Sequence, residues 1–251
     1  MTSIYSAAAL LVVLSLVGSL WADDAAQSPA ATSVSVPPAS VTVPPLSGKL
    51  GQPIQLFNGH DLSGWVWVQK LPKAGTTVAE KKIDDVWTVK DGVLHSIGKP
   101  TGYIRTEAEF GNYVFTVEER HIAKGNGGLL VGITGPDKAW PGLEIQTQTG
   151  DAGDLWNHNL LKMTTDPART KNDGHRIVKM GPDSQHPVGE WDTMEVIVDN
   201  GNLVYKVNGQ VQNVATDTQS LAGKVGLQSE GAEMEFRKVQ ITPIESASAA
   251  K

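Results

Sequence analysis

Met194-Glu195-Val196-Ile197-Val198-Asp199-Asn200-Gly201-Asn202-Leu203-Val204-Tyr205-Lys206-Val207-Asn208-Gly209 alternates apolar and polar residues between two Asn-Gly pairs. Met194, Val196 and Val198 take one side of an extended chain, and Leu203, Tyr205 and Val207 one side of the next. Asn-Gly tolerates the two positive φ angles of a tight hairpin turn, so the run predicts an antiparallel three-strand meander. The same signals recur outward from it. Val86 to Leu94 around Asp91-Gly92 reads as a hairpin, Tyr113 to Glu118 alternates as a strand, and Gly125-Asn126-Gly127-Gly128 turns into a strand from Leu129 to Ile133. Val225 to Gln228 and Glu235 to Ile241 add two more. In the last, the apolar phase moves from Met234 and Phe236 to Val239 and Ile241, which places a bulge at Arg237-Lys238. The best helical period, Leu155 to Met163, lasts only about two turns. Many short strands with regular turns imply an all-β fold, a jelly-roll sandwich of two antiparallel sheets.

Composition narrows the function. The chain has 251 residues, a net charge of −6 and no cysteine. Without a basic excess, nucleic acid is not an expected partner. Without cysteine there are no disulfides, thiolate metal sites or thiol nucleophiles. Ile4 to Val17 is apolar and is followed by small residues up to Ala22, so residues 1–22 read as a secretory signal. The segment before the apolar run lacks Lys and Arg, which leaves an uncleaved anchor as the alternative. The expected location is therefore secreted or periplasmic, with no transmembrane span after cleavage. Residues 23–48 form a Pro-, Ala- and Ser-rich linker, 49–244 the sandwich domain, and 245–251 a disordered tail. Oligomeric state is not readable.

The stretch most suggestive of a site is Trp140-Pro141-Gly142-Leu143-Glu144-Ile145-Gln146-Thr147-Gln148. In an extended chain Glu144, Gln146 and Gln148 share one face, and Leu143, Ile145 and Thr147 the other. A carboxylate and two carboxamides in line offer acceptors and donors to sugar hydroxyls. The solvated outer face of an antiparallel sheet has the same pattern; Trp140 beside the row favours a binding site. Tryptophan outnumbers phenylalanine seven to four, a hint of sugar stacking to which Trp156 could contribute. The Asp residues at 151, 154, 166 and 173 read as solvated, and no glycine loop between strand and helix suggests a nucleotide.

The order of short motifs resembles one family. Leu56-Phe57-Asn58-Gly59, Leu62-Ser63-Gly64-Trp65, Trp87 with Asp91-Gly92, Gly125 to Gly128, Gly142 to Gln146, Gly189-Glu190-Trp191, Val207-Asn208-Gly209, Gly226-Leu227-Gln228 and Glu235-Phe236-Arg237 follow one another much as in the 3-keto-disaccharide hydrolases. The resemblance covers roughly residues 50–244. It implies a concanavalin-like lectin/glucanase sandwich, export, and cleavage of glycosides whose glucose unit is oxidised at C3. Two departures stand out: Glu230 where many members have histidine, and Asn126-Gly127-Gly128 where members often read Asn-Ser-Gly.

A ketone at C3 acidifies the C2 hydrogen, so elimination across C1 and C2 followed by hydration can break the glycosidic bond. That route needs a base, a stabiliser for the enolate and an acid for the leaving oxygen, not the paired carboxylates of ordinary glycosidases. Glu144 is the first candidate for base or metal ligand, with a purely structural or sugar-binding role as the alternative. Gln146 and Gln148 could orient the ligand or form a polar ladder, and Asn126 could add a contact. The resemblance carries Arg120 over as an enolate stabiliser, although a salt bridge to Glu118 suits it equally; Arg237 reads as structural. His158 and Lys162, four apart on the possible helix, could share a face, His158 as acid or base. Gln228 and Glu230 fall on one strand face, where a carboxylate could replace the histidine. Calcium, manganese or zinc could use Glu144, His158 and Glu230, but no spacing selects one. A non-catalytic carbohydrate-binding module and an envelope adhesion domain are the competing functions.

Overall fold

The computed structural model describes residues 42–70, 77–137 and 142–246. The segment expected to be a secretory signal, the expected linker up to residue 41, Trp140 and the tail after residue 246 lie outside the described residues. Among the described residues regular structure is strand, apart from two single 3-10 turns, and no helix is long and apolar enough to cross a membrane.

Two antiparallel sheets stack face to face. The first runs in spatial order Gln210–Ala215, Asn202–Val207, Asp192–Asp199, Tyr113–His121, Met234–Ser246, Val93–Ser96 and Trp87–Lys90. Gly48–Leu50 and Ile54–Gln55 also pair with Met234–Ser246, Gly48 lying opposite Ser246. The second runs Thr170–Lys171, Arg176–Ile177, Leu155–Asn157, Leu143–Gln146, Gly128–Ile133, Lys224–Ser229, Gly102–Thr106 and Trp65–Gln69. Period-two alternation explains the core. Phe115, Val117, Val196, Tyr205 and Phe236 face inward from the first sheet, and Leu129, Val131, Leu143, Ile145 and Leu227 from the second, in one buried cluster.

The turns follow their chemistry. Asp91-Gly92, Asn200-Gly201 and Asn208-Gly209 all take two consecutive positive φ angles, 52° and 77° at the first, as two-residue hairpins in a right-twisted sheet require. The meander forms as expected. At Arg237 to Gln240 the pairing with Tyr113–His121 slips, with Lys238 at φ 48°, so the bulge also sits where the apolar phase changes. The linker's last residues join the domain: Ser47 N–H donates to Asp199 Oδ2 at 2.6 Å.

The helical expectation fails. Leu155–Asn157 is a strand between Leu143–Gln146 and Arg176–Ile177. Asn157 then closes the following loop with its own side chain: Nδ2 donates to Leu161 O at 2.9 Å, and Leu161 N–H donates to Oδ1 at 2.8 Å. Leu160, at φ 51°, turns the chain left-handed. A side-chain amide thus does locally what helix hydrogen bonds would have done, and His158 and Lys162 share no helix face.

Candidate functional site

Leu143 and Ile145 point into the core, so Glu144 and Gln146 point outward from the second sheet. They are nevertheless only 4% and 5% exposed, which a solvated face does not explain. Register shows what covers them. Trp156 and Leu130 stand opposite Glu144 on the adjoining strands, and Gly128 stands opposite Gln146. Leu227 is opposite both Leu129 and Ile104, and Gln228 opposite Tyr103, so Gln228 joins the same outer face.

Three acid-base groups converge on this face. Glu144 Oε2 lies 2.8 Å from His158 Nε2. Glu230 Oε2 accepts from Asn126 Nδ2 at 3.1 Å and from Gln228 Nε2 at 3.0 Å. Gln146 joins the two halves once its amide is turned to match its neighbours: the NH2 then faces Glu144 Oε1 at 3.1 Å and Asn126 Oδ1 at 3.1 Å, and the carbonyl accepts from Trp156 Nε1 at 3.2 Å. Trp156 stacks beside the His158 ring, centroids 6.4 Å apart and planes within 13°. Its other neighbour is the Arg176 guanidinium, 5.3 Å from the ring centroid and paired with buried Asp154.

Burial, and after it the Glu144 charge, hold the Glu230 carboxyl above its usual range, while Lys70, His158 and the Asn126 hydrogen bond pull it back. Glu230 therefore keeps a proton further up the pH scale than an ordinary glutamate. Lys70, just past Trp65–Gln69, carries a charge that acts on Glu230, an influence the sequence reading missed because nothing local in Gln69-Lys70 signals the neighbourhood of residue 230.

Gly128 makes the crowding possible. A Cβ there would lie 2.4 Å from Gln228 Oε1 and 3.1 Å from Glu144 Cγ. The glycines after Asn126 are thus more than a turn; they let three strands bring their polar side chains together.

Other expected site residues fall elsewhere. Arg120 is on the outer face of the opposite sheet, donating from Nε to Glu235 at 2.8 Å and lying 4.6 Å from the Trp191 ring, so it cannot reach an enolate at Glu144. Neither is its partner Glu118: that carboxylate pairs with Arg237 at 2.6 Å beside the bulge, making Arg237 structural. Lys162 is exposed, its carbonyl held by Gln219 N–H at 2.6 Å. Gln148 lies beyond the strand, its amide donating to Asp151 at 3.3 Å. Asp154 is buried against Arg176, not solvated. As for a metal, among the described residues no three histidine or carboxylate groups converge as ligands; one Glu230 oxygen already accepts two amides.

This sandwich is shared with carbohydrate-active proteins. It resembles a protein of Parabacteroides distasonis ATCC 8503 provisionally assigned to the glycosyl hydrolases, with a TM-score of 0.54 and 20% identity over 77% of this chain and 94% of that one. It also resembles the β-glucanase of Bacillus licheniformis, with a TM-score of 0.53 and 13% identity over 78% and 99%. SCLam, a non-specific endo-β-1,3(4)-glucanase of family GH16, gives 0.51 and 13% over 82% and 94%. No curated protein matches. The sequence resolves the family within that fold: residues 52–242 match the 3-keto-alpha-glucoside-1,2-lyase-like domain, and the chain belongs to that family.

Proposed function

We propose that this protein cleaves glycosides whose glucose ring carries a ketone at C3, by elimination and then hydration. The observation that carries the reading is the meeting of buried Glu144 with half-buried His158 and Glu230 on one polar face, with one carboxyl biased toward its protonated form. Glu144 takes the C2 hydrogen as a proton, and the electron pair moves into an enolate at C3. Lys70, whose positive charge is felt at Glu230, opposes the charge on the enolate oxygen. The enolate then expels the C1 substituent as Glu230 delivers its proton to the leaving oxygen, leaving a C1 to C2 double bond conjugated with the ketone. Water adds its hydroxyl to C1 and a proton returns to C2, which releases 3-keto-glucose. His158 shares the proton with Glu144, while Asn126, Gln146 and Gln228 fix both carboxyls in place. Export from the cell belongs to the same proposal, through the segment at residues 1–22.

The test is NMR of the purified protein with a 3-keto-disaccharide and, separately, its unoxidised parent. The expected result is release of 3-keto-glucose, or its C1 to C2 unsaturated intermediate, from the oxidised sugar alone. Line broadening with either sugar and no cleavage would overturn the hydrolase reading in favour of a carbohydrate-binding module.

A further inference from the structure

On the far side of the sandwich, the outer face of the first sheet holds a hollow of about 430 Å³ that the elimination chemistry does not use. Its floor is one register row. Thr88 stands opposite His95, His95 opposite Glu235, and Glu235 opposite Arg120, on four adjacent strands. Their neighbours Trp87, Leu94 and Phe236 are buried in the core, so the row faces away from it. Lys90 and Asp91, at the Asp-Gly turn, form the rim with these residues.

Two observations separate this hollow from an ordinary solvated face. Its floor groups are already fixed: Arg120 donates through both Nε and Nη2 to Glu235, and His95 Nε2 lies 2.8 Å from Glu233. Trp191 buttresses one end, with Arg120 and Arg237 4.6 and 4.1 Å from its ring centroid. The floor is also partly desolvated, with side-chain exposures of 23%, 22% and 32% at His95, Glu235 and Arg120. A row across four strands spans about 14 Å at the usual strand spacing, and the volume is that of a small-ligand site.

Charge and hydrogen-bond capacity select the ligand class. Asp91, Glu235 and the Glu233 carboxylate on His95 outnumber Lys90 and Arg120, and Arg120 already spends two donors on Glu235, so no net positive field attracts an anion. What remains is an alternation of hydroxyl, imidazole, carboxylate and guanidinium edges, each able to serve a hydroxyl as donor or acceptor. We infer that this hollow is a second carbohydrate site, for an uncharged sugar, on the face opposite the Glu144 site. The inference stands apart from the elimination chemistry: a protein that cleaves nothing could still use it.

The experiment is amide-resolved NMR titration of the full chain with maltotriose and laminaritriose, with galacturonate and inorganic phosphate as anionic probes. The expected result is shift changes at Thr88 to His95 and at the Trp191 indole with a neutral trisaccharide. These should persist in Glu144→Gln and weaken about tenfold in Lys90→Ala and in His95→Ala, the loss of one good polar contact. Both substituted residues lie outside the core, and an unchanged amide spectrum elsewhere will show that the variants fold. Response to the anions alone would overturn the neutral-sugar assignment. Silence with all four probes, or a response that vanishes in Glu144→Gln, would overturn the site itself.

Discussion

Glu144, within the strand Leu143–Gln146, and Glu230, just past the end of Lys224–Ser229, reach one patch of surface, and their surroundings assign them different tasks. Glu144→Gln keeps the hydrogen-bonding shape but removes the proposed base; turnover of a 3-keto-disaccharide should fall by about 10²- to 10⁴-fold with the far-UV CD spectrum unchanged. Glu230→Gln tests the acid. Because the Glu230 carboxyl is held above its ordinary range, the wild-type rate should decline as pH rises through that elevated range, when the proton is lost. The variant should be slow and should lack that decline, as the pH profile of kcat will show. The sequence made part of this site legible. Strand parity alone set Glu144 and Gln146 on one face. Parity cannot say which strands adjoin, so Asn126 and the Gln228–Glu230 pair stood apart from the Glu144 row until the fold and its hydrogen bonds joined them. Arg120 shows the opposite failure: a motif shared with relatives identifies a residue but not the sheet it faces.

At the scale of elements, short turns and glycines carry more of the site than their size suggests. Gly128→Ala puts a methyl group against Gln228 and Glu144; the expected cost is about 1–3 kcal/mol of stability together with loss of turnover, read from denaturant melts and the NMR assay. Gly92→Ala places a β-carbon at φ 77° and should cost about 1–2 kcal/mol with turnover kept, since that turn is on the other sheet. Hairpins built on Asp-Gly and Asn-Gly were legible because the turn chemistry is local. Trp65–Gln69 and Gly102–Thr106 were not: Trp65-Val66-Trp67-Val68 is apolar on both faces, and Val68, Tyr103 and Leu130 form a small cluster of their own on the outer side of the sheet. The short apolar run at Leu155 fitted either period, and pairing on both sides decided it as strand.

Across the whole molecule, the sandwich buries a carboxyl between its sheets. Glu119 is 1% exposed, neither of its oxygens has a hydrogen-bond partner, and the Thr147 hydroxyl nearby eases its ionisation without forming a bond of ordinary geometry. Burial pushes its carboxyl to about 8. In the unfolded chain it ionises in the usual carboxylate range, so between there and pH 8 the unfolded state sheds a proton the folded state keeps. Stability should fall across that window, by an amount on the order of 4 kcal/mol, and change no further with this group above it. Glu119→Gln should flatten the decline in urea melts taken from pH 5 to 9. A different property of the whole follows from Gly48 lying opposite Ser246. The sheet's first and last residues leave the domain side by side, so tension applied between them would peel that short pair open bond by bond instead of shearing it. That edge pair should therefore open at low force when the domain is pulled by its two ends, ahead of the strands that build the core.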